Sequence, residues 1–259
     1  MTEIVKTELM KLKRYSVVWI GLAAVLAVVL LARFMATAND GTVHTFSNFS
    51  SNVIWNNYSI MFPAAITLIA GYIIDRERTD DTLKNILTVP VSFKKLLAGK
   101  LLTAGLLSIL LALVEFLFTA MVSFLSSYPG FNIPEALHVL LQMIGMNLCV
   151  YAAVLPIIVL TAQRSGNFMP GVAFAFFYGF VGTFAAGHGL GEIYPITAGL
   201  GLIGYQAGIS GEEYNVLLSA GVLLLMLLIT VILVSASKNR EPKIRKTAQD
   251  EGRKGRHTK

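Results

Sequence analysis

Charged side chains are scarce in this sequence. Asp, Glu, Lys and Arg make up 14% of its residues and hydrophobic residues 55%, whereas a soluble domain is about 25% charged. Too few polar groups are present to cover the outside of a soluble domain of this length. The composition therefore indicates a chain that uses the lipid bilayer as its apolar solvent.

Several kinds of site are missing as well. The single cysteine, Cys149, excludes an intramolecular disulfide and offers no cluster for a metal. No G-x-x-x-x-G-K-[ST] motif is present, because the Gly99-Lys100 pair is followed by leucine and lacks the earlier glycine. Gly199–Gly204 matches the letters of a dinucleotide fingerprint, but no βαβ unit or ribose-binding acid accompanies it. We therefore expect no cofactor or metal bound by this chain and no ATP hydrolysis by the chain alone.

Six stretches are long and apolar enough to cross a bilayer, since a spanning helix needs about 20 mostly apolar residues. Continuous runs of this length favour helices over the alternating strands of a barrel. We expect an all-α membrane protein whose transmembrane domain, residues 15–237, has six helices at about Tyr15–Met35, Val53–Ile74, Leu101–Leu125, Leu137–Ala162, Phe168–Gly187 and Tyr214–Ser235.

The lysines and arginines lie almost entirely on one side of these spans. Twenty of the 21 fall on the side of both termini, and the exception is Arg33 at the outer end of the first span. The positive-inside rule makes that side, with both termini, cytoplasmic. An alternative is a cleaved secretory signal ending at Ala36-Thr37-Ala38. The length of the first apolar run, and Arg33 beyond it, favour a retained helix.

Four segments outside the spans have distinct patterns. Residues 1–14 predict an amphipathic interfacial helix with Val5, Leu9 and Leu12 on one face, lying against lipid headgroups. Met35–Asn52 reads as a polar outer loop. Gly187–Glu213, apolar but rich in glycine, fits a re-entrant outer hairpin before the sixth helix. The basic tail, residues 238–259, is expected to be disordered near anionic lipid rather than bound to nucleic acid.

A charged interruption, Asp75–Lys100, separates the second and third spans. Thr79 is placed to cap a short helix that carries Asp80 and Asp81 in its first turn, and Pro90 ends it. Ser92 is placed to cap the next helix, which continues into the third span. These signals predict a cytoplasmic helix, a sharp turn and re-entry into the membrane, and hence a surface for a soluble partner.

This loop resembles the corresponding loop of the type-2 ABC-transporter permeases, which are six-span exporter subunits. The shared pattern is Glu77, Thr82-Leu83, Ile86-Leu87, Pro90-Val91-Ser92, Lys94-Lys95, Leu96 and Gly99-Lys100, with Asp81 where the family usually has glycine. The lead-in Glu8–Arg14 and the segment Ile193-Tyr194-Pro195 are also similar. Size and the Tyr-Pro segment look most like the peptide-antibiotic and lantibiotic-immunity permeases.

The resemblance implies that Thr79–Val89 is a coupling helix that docks into an ABC ATPase. The implied docking residues are Glu77, Thr79, Asp80, Asp81, Thr82, Leu83, Lys84, Leu87 and Pro90. Two ATPase copies would supply ATP and Mg²⁺, and a second permease subunit, identical or related, would complete the transporter. The implied role is outward transport of a hydrophobic or amphipathic compound, such as an antimicrobial peptide, an antibiotic or a lipid-like molecule, across a bacterial cell membrane.

Glu115 lies within the third span, 10 residues before its outer end. An acidic side chain at that depth costs about 3 kcal/mol on insertion scales, so it should face protein or water. Asn147 and Thr67 lie at comparable depth and are its expected partners. Glu115 either holds helices together through hydrogen bonds or, with Asn147 and Thr67, contributes to a substrate path by contacting a cationic substrate or a proton.

Two other functions stay open at this point. A non-transporting sensor or scaffold would use the same cytoplasmic loop to bind another partner. An intramembrane enzyme, the weaker alternative, would use Glu115 or His188. Co-purification of an ATPase and ATP-driven transport distinguish the permease from both.

Overall fold

The computed structural model describes residues 2–12, 15–38, 44–79, 92–162, 168–205 and 214–237. Within these ranges every regular element is helical. The first are α1 (Thr2–Leu12) and α2 (Val17–Met35). A continuous helix then runs from α3 (Phe46–Asn56) through a π-helical turn (Asn57–Met61) into α4 (Phe62–Thr79). The later helices are α5 (Phe93–Leu125), α6 (Ile133–Ala162), α7 (Phe168–Gly187), the short α8 (Ala198–Leu202) and α9 (Val216–Ala236).

The described residues contain six helical stretches that are long and apolar enough to cross a membrane. They are Val17–Met35, Phe46–Glu77, Phe93–Leu125, Ile133–Thr161, Phe168–Gly187 and Val216–Ala236. The prediction of an all-helical protein with six candidate spans is confirmed for this part of the chain. The cytoplasmic placement of both termini stays a prediction, and residues 238–259 lie outside the described ranges.

Side-chain caps set where two of the long helices begin. The hydroxyl of Thr45 accepts a hydrogen bond from the backbone N–H of Asn48 at 3.2 Å, so α3 begins at Phe46, which is buried. The predicted polar loop Met35–Asn52 is therefore wrong from Phe46 onwards. Ser92 accepts from the backbone N–H of Lys95 at 3.4 Å, which confirms the predicted cap at the start of α5.

The second and fourth spans form the centre of the bundle. An apolar stretch of 18 residues in the second span is 72% buried, whereas the corresponding stretch in the sixth span is 17% buried. Helix α4 packs against α6 and α7, α5 packs against α2 and α6, and α9 packs against α6. Outward-facing side chains such as Phe177 and Leu228 are left exposed on the outer helices, where lipid would cover them.

The π-helical turn ends at Met61, two residues before Pro63. Proline has no N–H, so the carbonyl of Ser59 loses its normal α-helical donor. Helix α7 comes close at this point: a Cβ added to Gly179 would lie 2.9 Å from the Ser59 carbonyl oxygen and 2.8 Å from Cγ of Pro63. Glycine at 179 therefore lets α7 pack directly on the backbone of the second span.

Residues 196–200, which follow α7, pack against the bundle. Ile196, Ala198 and Leu200 are fully buried, and a Cβ on Gly199 would lie 2.7 Å from Cβ of Cys149 on α6. These contacts place α8 against the protein interior. Residues 206–213 lie outside the described ranges, and the re-entrant hairpin stays a prediction.

Candidate functional site

Four charged side chains meet where α1, the end of α4 and the start of α5 come together. We call Glu8, Lys11, Glu77 and Lys100 the inner charge cluster. Lys100 Nζ lies 2.9 Å from Glu8 Oε2 and 3.1 Å from Glu77 Oε1. Lys11 Nζ lies 2.7 Å from Glu8 Oε1 and 2.6 Å from the same Glu77 oxygen. Each cation therefore bridges both acids, and each acid bridges both cations.

Lys100 is the most constrained member of the inner charge cluster. Its side chain is only 3% exposed, and burying a charge is costly unless it is paired and hydrogen-bonded. The ammonium group has three hydrogens to donate. It meets the carboxylates of Glu8 and Glu77 and donates to the backbone carbonyl of Ile73 at 3.0 Å. These three partners saturate it, and the two acids balance the two cations.

The environment shifts the ionisation of the two α1 members in opposite directions. Burial alone would raise the pKa of Glu8, but the attraction of Lys100 and hydrogen bonds from Lys11 and Lys100 hold it below its ordinary value. Burial alone would lower the pKa of Lys11, but hydrogen bonds to Glu77 and Glu8 raise it well above its ordinary value. Both shifts favour the charged forms that make the ion pairs.

Helix α1 packs against the bundle through Ile4, Glu8 and Leu12, and the prediction had named only Leu12 of these three. Leu9 is 42% exposed, whereas Glu8 and Leu12 are buried. A Cβ on Gly99 of α5 would lie 2.5 Å from Cγ2 of Ile4, so Ile4 lies on the packed face. The prediction placed Val5 and Leu9 together on the apolar face and treated the charges as flanks, because it considered α1 only against lipid. The face that packs against the bundle is instead partly ionic.

Most of the predicted docking residues lie outside the described ranges. Glu77 is the one whose side chain lies within the described part of the chain, and it belongs to the inner charge cluster. Thr79 is the last residue of α4. Asp80, Asp81, Thr82, Leu83, Lys84, Leu87 and Pro90 lie outside the described residues, so their contact with an ATPase stays a prediction. The inner charge cluster nevertheless joins the two helices that flank this segment.

Sequence reasoning did not identify the inner charge cluster, although one signal was available. Lys100 follows the cap at Ser92 by two helical turns and is succeeded at once by the apolar third span. A lysine so far into an apolar helix requires a buried acid as its partner. Glu8 was not recognisable as that partner, because it lies 92 residues away in sequence.

A second polar group lies in the middle of the bundle. We call Asn57, Glu115 and Asn147 the central polar cluster. Glu115 Oε2 accepts from Asn57 Nδ2 at 2.8 Å and from Asn147 Nδ2 at 3.1 Å. Asn57 Nδ2 also donates to Asn147 Oδ1 at 3.0 Å. These hydrogen bonds join the π-helical turn, α5 and α6.

One of the two predicted partners of Glu115 is confirmed. Asn147 contacts it as expected, whereas Thr67 does not, and the hydroxyl of Thr67 is buried without a hydrogen-bond partner. Thr67 lies ten residues beyond Asn57, about 15 Å further along the helix at 1.5 Å per residue. The depth of the second span was misjudged because its helix begins at Phe46 rather than at Val53. Whether Glu115, Asn147 and Thr67 lie on a substrate path stays a prediction.

Glu115 and His188, the two alternatives suggested for an intramembrane enzyme, have different surroundings. His188 is exposed just beyond the end of α7, with Nδ1 2.8 Å from the carbonyl oxygen of Phe184. Glu115 is buried with the two asparagines. The contacts of His188 in the described chain include no acid that would orient it as a general base.

The sequence of this chain is similar to that of a known protein family. A family model described as "ABC-2 family transporter protein" matches residues 4–182. This stretch contains both the inner charge cluster and the central polar cluster. No curated protein matches the chain significantly.

Proposed function

The chain belongs to the ABC-2 transporter family, and we propose that it is the permease subunit of an ABC exporter powered by a separate ATPase subunit. Family membership makes it a multi-pass membrane component of an ABC transporter. The sequence contains no phosphate-binding loop, so ATP and Mg²⁺ would be bound by the ATPase. The proposed complex has two ATPase copies and two permease subunits, identical or related, in a bacterial cell membrane.

The observation that carries this proposal is the position of the inner charge cluster. The segment between α4 and α5 is the one expected to dock an ATPase. Glu77 lies three residues before residue 80, and Lys100 lies eight residues after Ser92. A force applied to residues 80–91 would therefore act on two helices that are already joined by buried ion pairs.

The inner charge cluster also determines which parts would move together. Lys100 on α5 holds Glu8 on α1, Glu77 on α4 and the carbonyl of Ile73 on α4. Separating any one of these helices from the others would leave a buried charge without its ionic partner, which is strongly unfavourable. We expect α1, the end of α4 and the start of α5 to move as one body when the ATPases bind ATP, and to pass that displacement to the bundle.

For the substrate, we propose a hydrophobic or amphipathic compound such as an antimicrobial peptide, an antibiotic or a lipid-like molecule. Support comes from the resemblance of Ile193-Tyr194-Pro195 to the peptide-antibiotic and lantibiotic-immunity permeases. The same resemblance supports a path between two permease subunits, lined by the second and fifth spans. Glu115 and Asn147 are buried in the described state, so contact with substrate would require the helices around them to separate.

Co-purification tests the ATPase partnership. The tagged chain is isolated from host membranes and the proteins that co-purify with it are tested for an ABC ATPase; a triple charge reversal, Asp80→Lys, Asp81→Lys and Lys84→Glu, is compared with wild type. We expect the triple variant to lose the ATPase. A matched control, Glu135→Lys at the opposite end of the bundle, should retain it.

Reconstitution separates the permease from the sensor or scaffold. Proteoliposomes with both subunits should show ATP-driven substrate movement that disappears when the ATPase is omitted. Full ATPase retention by the triple reversal would contradict docking at residues 80–91. A chain that recruits no ATPase and supports no ATP-driven transport would instead be a sensor or scaffold.

A further inference from the structure

Glu115 occupies an exceptional position in the bundle. It is 1% exposed, and it is the one Asp, Glu, Lys, Arg or His in the middle of the described spans. The other charged or imidazole groups on the helices packed around it lie towards their ends: Arg33 on α2, Asp75, Arg76, Glu77 and Arg78 on α4, Lys94, Lys95 and Lys100 on α5, and Glu135 and His138 on α6. His138 precedes Asn147 by nine residues, about 13 Å along α6.

Among the residues that the structure describes, no nearby cation balances a charge on Glu115. Lys100, on the same helix, is about 22 Å away along the axis and is saturated within the inner charge cluster. The weak acids closest in sequence to the cluster, Tyr58, Cys149 and Tyr151, are neutral at neutral pH. A carboxylate here would be a buried charge stabilised by two amide groups alone, a situation that a low-dielectric interior strongly disfavours.

The hydrogen bonds around Glu115 leave two oxygen atoms without a donor. Both asparagine amides donate to the same carboxyl oxygen, Oε2. The other carboxyl oxygen, Oε1, and the amide oxygen of Asn57, Oδ1, are both buried and have no hydrogen-bond partner. An ionised carboxyl group can only accept hydrogen bonds. It therefore cannot donate one to the Asn57 amide oxygen, and its own Oε1 stays without a partner.

We propose that Glu115 is a proton-binding site in the centre of the bundle, and that the described packing is the state with the proton bound. A proton on Oε1 makes it a hydroxyl donor, which is what the Asn57 amide oxygen lacks. One proton therefore removes the buried charge and supplies the missing donor. The asparagines bind the carbonyl side of the acid at Oε2, which leaves the hydroxyl side to donate to a buried acceptor such as Oδ1 of Asn57.

The site lies where the second span departs from α-helical geometry. Asn57 is the first residue of the π-helical turn, and such turns are frequent at functional sites. If the π-helical turn, α5 and α6 separate here, water reaches Glu115, the O–H bond breaks, and the proton passes to that water. Repacking requires a proton to return. Proton release and uptake would thus accompany opening and closing of the bundle, a linkage that goes beyond the proposed ATPase-driven function and does not depend on the substrate.

Infrared spectroscopy of the purified chain in lipid nanodiscs tests the protonation state directly, without ATPase or substrate. At neutral pH we expect a carboxylic-acid C=O band in wild type that shifts on transfer to D₂O. Glu115→Gln should lack this band. Glu135→Gln, which removes a partly exposed carboxyl group in the first turn of α6, should retain it.

A second variant keeps the test informative if Glu115→Gln folds poorly. Asn57→Leu removes one donor to Oε2 at similar side-chain volume, so the acid band should persist and move to higher frequency. Thermal unfolding adds a further test: Glu115→Gln should be at least as stable as wild type at neutral pH, and its advantage should grow as pH rises.

Two results would overturn the proposal. One is the absence of an acid band in wild type at neutral pH, as an anion or a carboxylate with a bound metal cation would give. The other is an acid band that Glu115→Gln leaves unchanged. Because the isolated chain is measured, either result would leave the ATPase co-purification untouched.

Discussion

Replacing Lys100 by methionine should strongly destabilise the chain, because it removes a buried charge that is paired with two acids. The side chains of Lys100 and Glu8 are 3% and 2% exposed, and Lys100 holds two acids and a carbonyl. Removing one partner of a buried ion pair costs about 3–5 kcal/mol, because the other charge is left buried and uncompensated. Lys100→Met gives the inner charge cluster a net charge of −1, and Glu8→Gln gives it +1.

The double variant Glu8→Gln/Lys100→Met restores the balance. Lys11 and Glu77 remain as a pair with their own 2.6 Å contact. Replacing a whole buried pair by uncharged groups is often close to neutral, whereas breaking one is not. We therefore expect the double variant to be no less stable than either single variant, in clear departure from additivity.

The chain carries its own probe for this measurement. Cys149 is the single cysteine and packs within the bundle beside Gly199, so a thiol-reactive fluorophore reports thermal unfolding in detergent or nanodiscs. At about 2–4 °C per kcal/mol, each single variant should lower Tm by about 6–20 °C. Lys94→Met, which removes an exposed lysine from the same helix, should change stability by less than about 0.5 kcal/mol.

The result that would refute this reasoning is a Lys100→Met variant as stable as Lys94→Met. Strict additivity in the double variant would refute the coupling of Glu8 to Lys100 in particular. Either outcome would also remove the basis for treating α1, α4 and α5 as one moving body.

Two further predictions concern pH and packing. Because the pKa of Glu8 is lowered in the folded state, its contribution is fully present above its unfolded pKa of about 4.3 and is lost as pH falls through the folded value. The Tm gap between wild type and Glu8→Gln should thus close on acidification, and a gap independent of pH would contradict the ion pairing. Gly179→Ala should lower Tm, because its Cβ would meet the Ser59 carbonyl oxygen at 2.9 Å. Gly221→Ala on α9, where nothing lies within 4 Å, is the matched control and should be neutral or slightly stabilising; equal Tm values for the two would contradict the close helix contact.

Local sequence signals predicted the elements that depend on local energetics. Hydropathy over about 20 residues reports the cost of placing a helix in lipid, and six candidate spans are present in the described chain. Ser92 was identified as a cap because its bond to the N–H of Lys95 is made within one turn. Asn147 was correctly paired with Glu115 because both lie on long regular helices where residue number measures depth.

In the second span, the residue number does not give the depth of a side chain in the bundle. This explains why Thr67 was wrongly predicted to be a partner of Glu115. Its helix begins before the apolar run and contains a π-helical turn, so the counted position of a residue no longer gives its height. The partner that the structure supplies, Asn57, lies near the polar end of the predicted span and carries no hydrophobic signal.

The sequence by itself determined the class of the protein, the number of candidate spans and the position of the charged loop between the second and third spans. These follow from hydropathy, cation placement and capping, each of which acts over a few turns of chain. Only the tertiary structure decided which charges are buried together. Glu8 and Lys100 are 92 residues apart, and Asn57 and Glu115 are 58 apart. Such contacts depend on how the helices pack, and the pattern along any single helix does not contain them.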